Sequence, residues 1–253
     1  MRFTFLGTGT SCGVPTLGCT CKVCQSSDPH DTRLRTAGLL ETESTRILID
    51  CGPDIRQQML HQSFRKIDAV LLTHIHYDHV AGIDDLKPFC HFGDLEIYAN
   101  ASTVRGLHQT MPYCFAEHLY PGVPRLNLHV VSPHQPLRIG DIDVMPIEVM
   151  HDQLPILGYR FGRFAYITDM KSIDSSEVER LRGVDTLVVN ALRWECPHHS
   201  HMLVDDAIAF SRSVGARITY FIHMNHEIGL HAEASTRLPA GFHLAFDGEV
   251  IEV

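Results

Sequence analysis

His74-Ile75-His76-Tyr77-Asp78-His79 sets four metal-capable side chains within six residues. His74 and His76 are two apart, so on extended chain they project to the same side. Asp78 and His79 fall where the chain turns, and they point differently. Such a spacing can feed two ions: imidazoles to one, a carboxylate with an imidazole to the other. The plain alternative is a polar loop with incidental histidines, which the further candidates downstream make hard to sustain. A second cluster is Cys19-Thr20-Cys21-Lys22-Val23-Cys24. Three thiolates so close suit a closed tetrahedral zinc site that takes one more ligand from elsewhere. The competing reading is a set of buried thiols, which rarely gather in a polar loop.

These side chains need elements to hold them. Ala69-Val70-Leu71-Leu72 reads as a buried strand, and Val80-Ala81-Gly82-Ile83 can open a helix after the histidine motif. The same rule, a polar residue directly after an apolar strand, picks out four more candidates. Asp50 ends the strand Arg46 to Asp50. His151 follows Ile142 to Val149. Asp169 closes the hairpin of Gly158 to Phe161 and Phe164 to Ile167. His223 ends Arg217 to Ile222. Strand-end loops are where open sheets place ligands. Each has a dull counterpart: a helix cap for Asp50 or Asp169, a solvated turn for His151, a core histidine for His223.

Elsewhere, helices are expected over Pro53 to His61, Ser102 to Gln109, Ser172 to Arg182 (capped by Ser172 or Asp174) and Leu203 to Val214. Met111 to Pro124 reads as irregular chain, and two last short strands turn at Asp247-Gly248. The loop Gly7-Thr8-Gly9-Thr10 to Pro15 suits either a phosphate cradle or a plain turn, and no P-loop lysine follows it. No repeat, linker or composition break divides the chain, so residues 1–253 are expected to form one domain. Two mixed sheets packed face to face, with helices outside, accommodate this α/β order.

Composition narrows the function classes. With 44% hydrophobic and 20% charged residues, the chain is an ordinary globular one. A formal net charge of -9 argues against unaided nucleic-acid binding. No apolar run approaches the roughly 20 residues that span a bilayer. The N-terminus reads as a strand without signal-peptide features, so a cytoplasmic location is expected. In that reducing compartment the eight cysteines are expected as thiols or metal ligands rather than disulfides.

His-x-His-x-Asp-His matches the signature of the metallo-β-lactamase superfamily at every fixed position. Gly7-Thr8-Gly9 with Gly13-Val14-Pro15, the Cys-x-Cys-x-x-Cys cluster, Gly158-Tyr159, Thr168-Asp169, His201 and His223-x-x-His226 extend the resemblance. It is most similar to the phosphodiesterase branch, and within it to the cyclic-ribose-phosphate phosphodiesterase family of phosphonate catabolism. The resemblance implies the four-layer αββα sandwich. It implies two catalytic divalent ions, zinc or manganese: His74, His76 and His151 on the first, Asp78, His79 and His223 on the second, and Asp169 bridging. Asp50 is implied to hold a ligand histidine, and Cys19, Cys21, Cys24 and His226 to hold a structural zinc. In two respects the chain departs from the pattern: after Val188-Val189 it carries Asn190 where an acidic residue is usual, and the pocket-forming stretch Phe89 to Pro124 carries no recognisable substrate signature.

The implied reaction is hydrolysis of a small, in some cases cyclic, phosphodiester by hydroxide formed at the metal pair. Asp78 and His201 are its catalytic residues, His201 at the leaving oxygen, and Arg193 is either a phosphate contact or a structural salt bridge. A small substrate and a second copy of the chain are the expected partners; neither nucleic acid nor membrane is expected. The rivals are a tRNA 3′-end processing nuclease, whose basic arm is missing here, a thioester hydrolase or β-lactamase, and a non-catalytic metal-binding or cofactor-associated protein.

Overall fold

The computed structural model describes residues 1–253. The strands are β1 (Arg2–Gly7), β2 (Ala37–Glu41), β3 (Arg46–Ile49), β4 (Ala69–Leu71), β5 (Leu95–Ala99), β6 (Leu126–Val130) and β7 (Leu137–Ile139). They continue as β8 (Ile142–His151), β9 (Leu154–Phe161), β10 (Phe164–Ile167), β11 (Thr186–Asn190), β12 (Ile218–Ile222), β13 (Phe242–Leu244) and β14 (Val250–Glu252). The α-helices are α1 (Ile55–Met59), α2 (Tyr77–Val80), α3 (Ala101–Thr110), α4 (Ser175–Arg180), α5 (Val204–Val214) and α6 (His231–Ser235).

Two seven-stranded mixed sheets form, in the orders β14-β1-β2-β3-β4-β5-β6 and β13-β12-β11-β10-β9-β8-β7. Alternation along the central parallel strands explains the layering. Val70 and Leu72 pack outward with α1 and α3, whereas Ala69 and Leu71 face the other sheet. Leu187 and Val189 face α5 while Val188 points inward. Both faces are therefore apolar, as a parallel strand covered on two sides requires. On α5, Val204, Ala207, Ile208, Ser211 and Val214 are buried at helical spacing, and Gly215 ends the helix in a left-handed conformation at φ 84°. The result is a four-layer αββα sandwich with one core between the sheets and one under each helical layer.

Each sheet is antiparallel over four strands (β14-β1-β2-β3 and β7-β8-β9-β10) and parallel over four (β3-β4-β5-β6 and β10-β11-β12-β13), so the two halves share a topology that no sequence repeat announces. In each half, the strand at which antiparallel pairing gives way to parallel leads to an aspartate with positive φ: Asp50 at 62° after β3 and Asp169 at 55° after β10. His223, after β12, also has positive φ, at 56°. Non-glycine residues rarely take this conformation, and its cost is tolerated where the surroundings over-determine it.

Three sequence expectations change. The final short strands do not form a pair, since β13 joins β12 and β14 crosses to β1. The helix after the motif starts at Tyr77, so Asp78 and His79 lie within α2 rather than before it, and Ile83–Phe92 continues as 3-10 helix. The glycines of the first loop serve packing: a Cβ on Gly7 would lie 2.0 Å from the Arg35 carbonyl oxygen. The cap of α4 is Asp174.

Candidate metal centres

All five strand-end candidates converge at one edge of the sandwich. Ligand atoms of His74, His76 and His151 form one group and those of Asp78, His79, Asp169 and His223 another, each within 4.8 Å of one another. Asp78, His79, Asp169 and His223 are buried, and His76 is exposed, which places the entrance on its side. Hydrogen bonds beneath the site fix the imidazoles. Asp50 Oδ2 lies 2.7 Å from His79 Nδ1, and the same carboxylate accepts from the Thr73 amide at 2.8 Å. Thr73 Oγ1 donates to Asp50 Oδ2 at 2.9 Å and lies 3.0 Å from His74 Nδ1. His151 Nδ1 lies 2.7 Å from the Asp169 carbonyl oxygen and 3.1 Å from that of Ser200. In His74, His79 and His151, Nδ1 is thus occupied from behind, and Nε2 is free to face the centre.

The inner faces carry the chemistry. His79 Nε2 lies 3.2 Å from Asp78 Oδ2 and 3.4 Å from Asp169 Oδ1, without hydrogen-bond geometry to either. His223 Nε2 lies 3.4 Å from Asp78 Oδ2 and 3.2 Å from Asp169 Oδ2. Burial alone would lower His79, yet Asp169, Asp50 and Asp78 hold it well above its ordinary value. Against burial, His223 and His79 hold Asp169 well below the usual carboxylate range. Two buried carboxylates facing a histidine nitrogen with no hydrogen-bond partner make a pocket that demands positive charge, so the residues fit a pair of divalent ions. Nitrogen with carboxylate donors suits zinc or manganese.

His201 lies beside both groups. Its ring lies tilted against those of His151 and His223, each at 4.8 Å between centroids, and its Nδ1 is 3.9 Å from Asp169 Oδ2. Burial first, then His223, lowers its pKa to about 3. Of its neighbours, His198 is half-buried: it stacks on His201 at 4.9 Å, and the Ser200 amide donates to its Nδ1. His199 is exposed but lines a cavity of about 310 Å³ beside His76 and His151. Arg193 makes the salt bridge, to Glu227, and not a contact in the centre. Thr73, Ser200 and Asn190 hold the ligands in place without any motif marking them.

Beyond this edge, Cys19, Cys21, Cys24 and His226 bring their ligand atoms within 4.8 Å of one another. His226 Nδ1 lies 3.3 Å from Cys21 Sγ and 3.6 Å from Cys19 Sγ. The Cys24 amide donates to Cys21 Sγ at 3.5 Å, and the Thr16 amide to Cys24 Sγ at 3.4 Å. The first of these bonds is the main cause that lowers Cys21 to about 6, whereas burial and the neighbouring sulfurs push Cys24 to about 11. Three sulfurs crowded in this way fit a cation, and a Cys₃His donor set fits zinc.

Comparison with known proteins agrees with the geometry. Residues 45–224 match the family model described as a beta-lactamase superfamily domain. A solved structure described as a new diphosphatase from the PhnP family is 39% identical, with a TM-score of 0.92 over all of this chain and 97% of that one. An octanoyltransferase of Porphyromonas gingivalis is 43% identical over 249 residues, 98% of this chain but 51% of that protein. A ribonuclease Z of Methanococcus maripaludis is 29% identical over 170 residues, 64% of this chain and 48% of that protein. The chain thus spans about half the length of these two relatives. No helix is long and apolar enough to cross a membrane. The matched model, the shared sandwich and the whole-length likeness to the PhnP-family structure establish that the chain belongs to the metallo-β-lactamase superfamily.

Proposed function

We propose that this chain is a metal-dependent phosphodiesterase acting on a small phosphodiester, with residues 1–253 working as one catalytic domain in the cytoplasm. The observation that carries the reading is the convergence of two ligand groups beside Asp169, in a chain 39% identical to a PhnP-family diphosphatase. His74, His76 and His151 would hold one ion, and Asp78, His79 and His223 the other. Asp169 would serve both, and Cys19, Cys21, Cys24 and His226 would hold a structural zinc. When bound, the paired ions make water nucleophilic at neutral pH and offset charge on the phosphoryl oxygens. The residues of the chain do the rest. Asp50 and Thr73 keep His79 and His74 in the tautomers that face the centre. Burial of Asp78, Asp169 and His223 keeps bulk water from their donor atoms. His201, beside Asp169, meets the oxygen that leaves phosphorus and donates a hydrogen bond to it there.

The ribonuclease Z relatives favour a nuclease as the second reading, although the net charge of -9 opposes it. The name of the Porphyromonas gingivalis protein describes a chain twice as long and adds a thioester to the compounds worth testing. The experiment reconstitutes the purified protein with zinc or manganese. It then assays bis(p-nitrophenyl) phosphate, a cyclic ribose phosphate, a tRNA precursor and an octanoyl thioester. Turnover of the small diesters, with little on tRNA or the thioester, is expected. Preferential cleavage of the tRNA precursor would move the reading to a nuclease, and of the thioester to an acyl hydrolase.

A further inference from the structure

Asn190 is the last residue of β11 and is fully buried. Its side chain makes two bonds to one residue: Oδ1 accepts from the Met170 amide at 2.8 Å, and Nδ2 donates to the Met170 carbonyl oxygen at 3.0 Å. Met170 directly follows Asp169, whose φ of 55° is strained for an aspartate. The peptide group between them is therefore held at both ends. Its N–H donates to Asn190, and its carbonyl oxygen accepts from His151 Nδ1 at 2.7 Å. That peptide sets the direction of the Asp169 carboxylate and supplies the acceptor that orients His151. His151 is grouped with His74 and His76 and Asp169 with Asp78, His79 and His223, and the two side chains also come together in a third group with His201.

We propose that Asn190 is a positioning residue that fixes the two metal groups relative to each other through the Asp169–Met170 peptide. This inference rests on the dinuclear reading given above. Rotation of the peptide would turn Asp169 away from His79 and His223 and withdraw the partner of His151 in the same motion. An apolar side chain at 190 can hold neither end of Met170. An aspartate can still accept from the Met170 amide and so keep the peptide oriented, which makes it the conservative variant.

The test loads wild type, Asn190→Ala and Asn190→Asp with Mn²⁺. It follows ion affinity by calorimetric titration and the spin coupling between the two ions by electron paramagnetic resonance. Asn190→Ala is expected to bind the pair roughly 10–100-fold more weakly, the range for lost outer partners of metal ligands. It should also lose the coupled signal while the zinc at Cys19, Cys21 and Cys24 stays at one equivalent. Asn190→Asp should restore coupling. Wild-type affinity and coupling in Asn190→Ala, or equal damage in both variants, would overturn the proposal. If Asn190→Ala does not accumulate as folded protein, Asn190→Ser, too short to bridge Met170, takes its place in the comparison. A wild-type protein that shows no coupled pair would overturn the dinuclear reading itself, and this inference with it.

Discussion

Asp169 is constrained from several sides: positive φ, burial, His79 and His223 against its carboxylate and His151 on its carbonyl. His201 is the residue whose role is hardest to assign from position alone, because it touches ligands of both groups without a hydrogen bond to either. If it serves the leaving oxygen, His201→Ala should lower kcat by roughly 10²–10⁴-fold and leave metal content unchanged. The loss should shrink on p-nitrophenyl esters, whose leaving group needs little protonation. Loss of a metal equivalent would make His201 a ligand, and equal losses on good and poor leaving groups would leave it only charge stabilisation. The candidate ligands were legible in the sequence because they gather at the ends of apolar strands. Apart from Asp50, the residues that orient them were not. Thr73 and Asn190 act through hydrogen bonds to Asp50 and Met170, partners distant in the chain, a pairing no local pattern encodes. Arg193 showed the limit from the other side, since its charge is taken up by Glu227, 34 residues away.

At the scale of elements, the segment from β12 to His226 links the two candidate metal sites. His223 faces the His/Asp groups, and His226 faces the cysteines. Between them the Met224 amide donates to the Thr8 carbonyl oxygen at 3.0 Å, the Thr10 amide donates to that of Met224 at 3.0 Å, and the Asn225 amide to that of Leu192 at 3.0 Å. The segment is held along its whole length, so the cysteine cluster is one anchor among several. Cys21→Ser should therefore cost one equivalent of tightly held zinc and lower the melting temperature, because a structural metal's binding energy contributes to folding. Activity at low temperature should partly survive. An unchanged zinc count would show the cysteines to be merely thiols. The cluster and its histidine were readable from spacing and resemblance. The separate destinations of β13 and β14 were not, because two short apolar runs around Asp247-Gly248 look like any hairpin and only their distant partners distinguish them.

Across the whole molecule, that crossover is what ties the sheets together at the chain's end. Asp247 sits on it, accepting from Thr8 Oγ1 at 2.7 Å and from the Leu34 amide at 2.6 Å, while Arg33 reaches the same hydroxyl at 2.8 Å. Burial pushes Asp247 up to about 6. An aspartate ionises near 3.9 when unfolded, so between about pH 4 and pH 6 the folded state holds more protons than the unfolded one. The stabilisation is complete below about pH 4 and disappears as pH rises through 6, a change on the order of 3 kcal/mol. Denaturation of wild type and Asp247→Asn across this range should show the variant gaining on wild type as pH rises. Parallel profiles would place the titration elsewhere. The sandwich itself was legible from the order of strands and helices. Its repeated half was not, since the halves share connections and not residues: β4 leads to His74 and the corresponding β11 ends in Asn190.

The central claim, a hydrolytic metal pair joined by Asp169, is tested most directly by counting metals and turnover in one variant. Purified wild type and Asp169→Ala, reconstituted side by side, are analysed for bound metal and assayed on bis(p-nitrophenyl) phosphate. Two catalytic ions and one zinc are expected in wild type. The variant should keep the zinc and the fold, lose catalytic metal and lose diesterase activity. Full metal loading with wild-type turnover in Asp169→Ala would contradict the account.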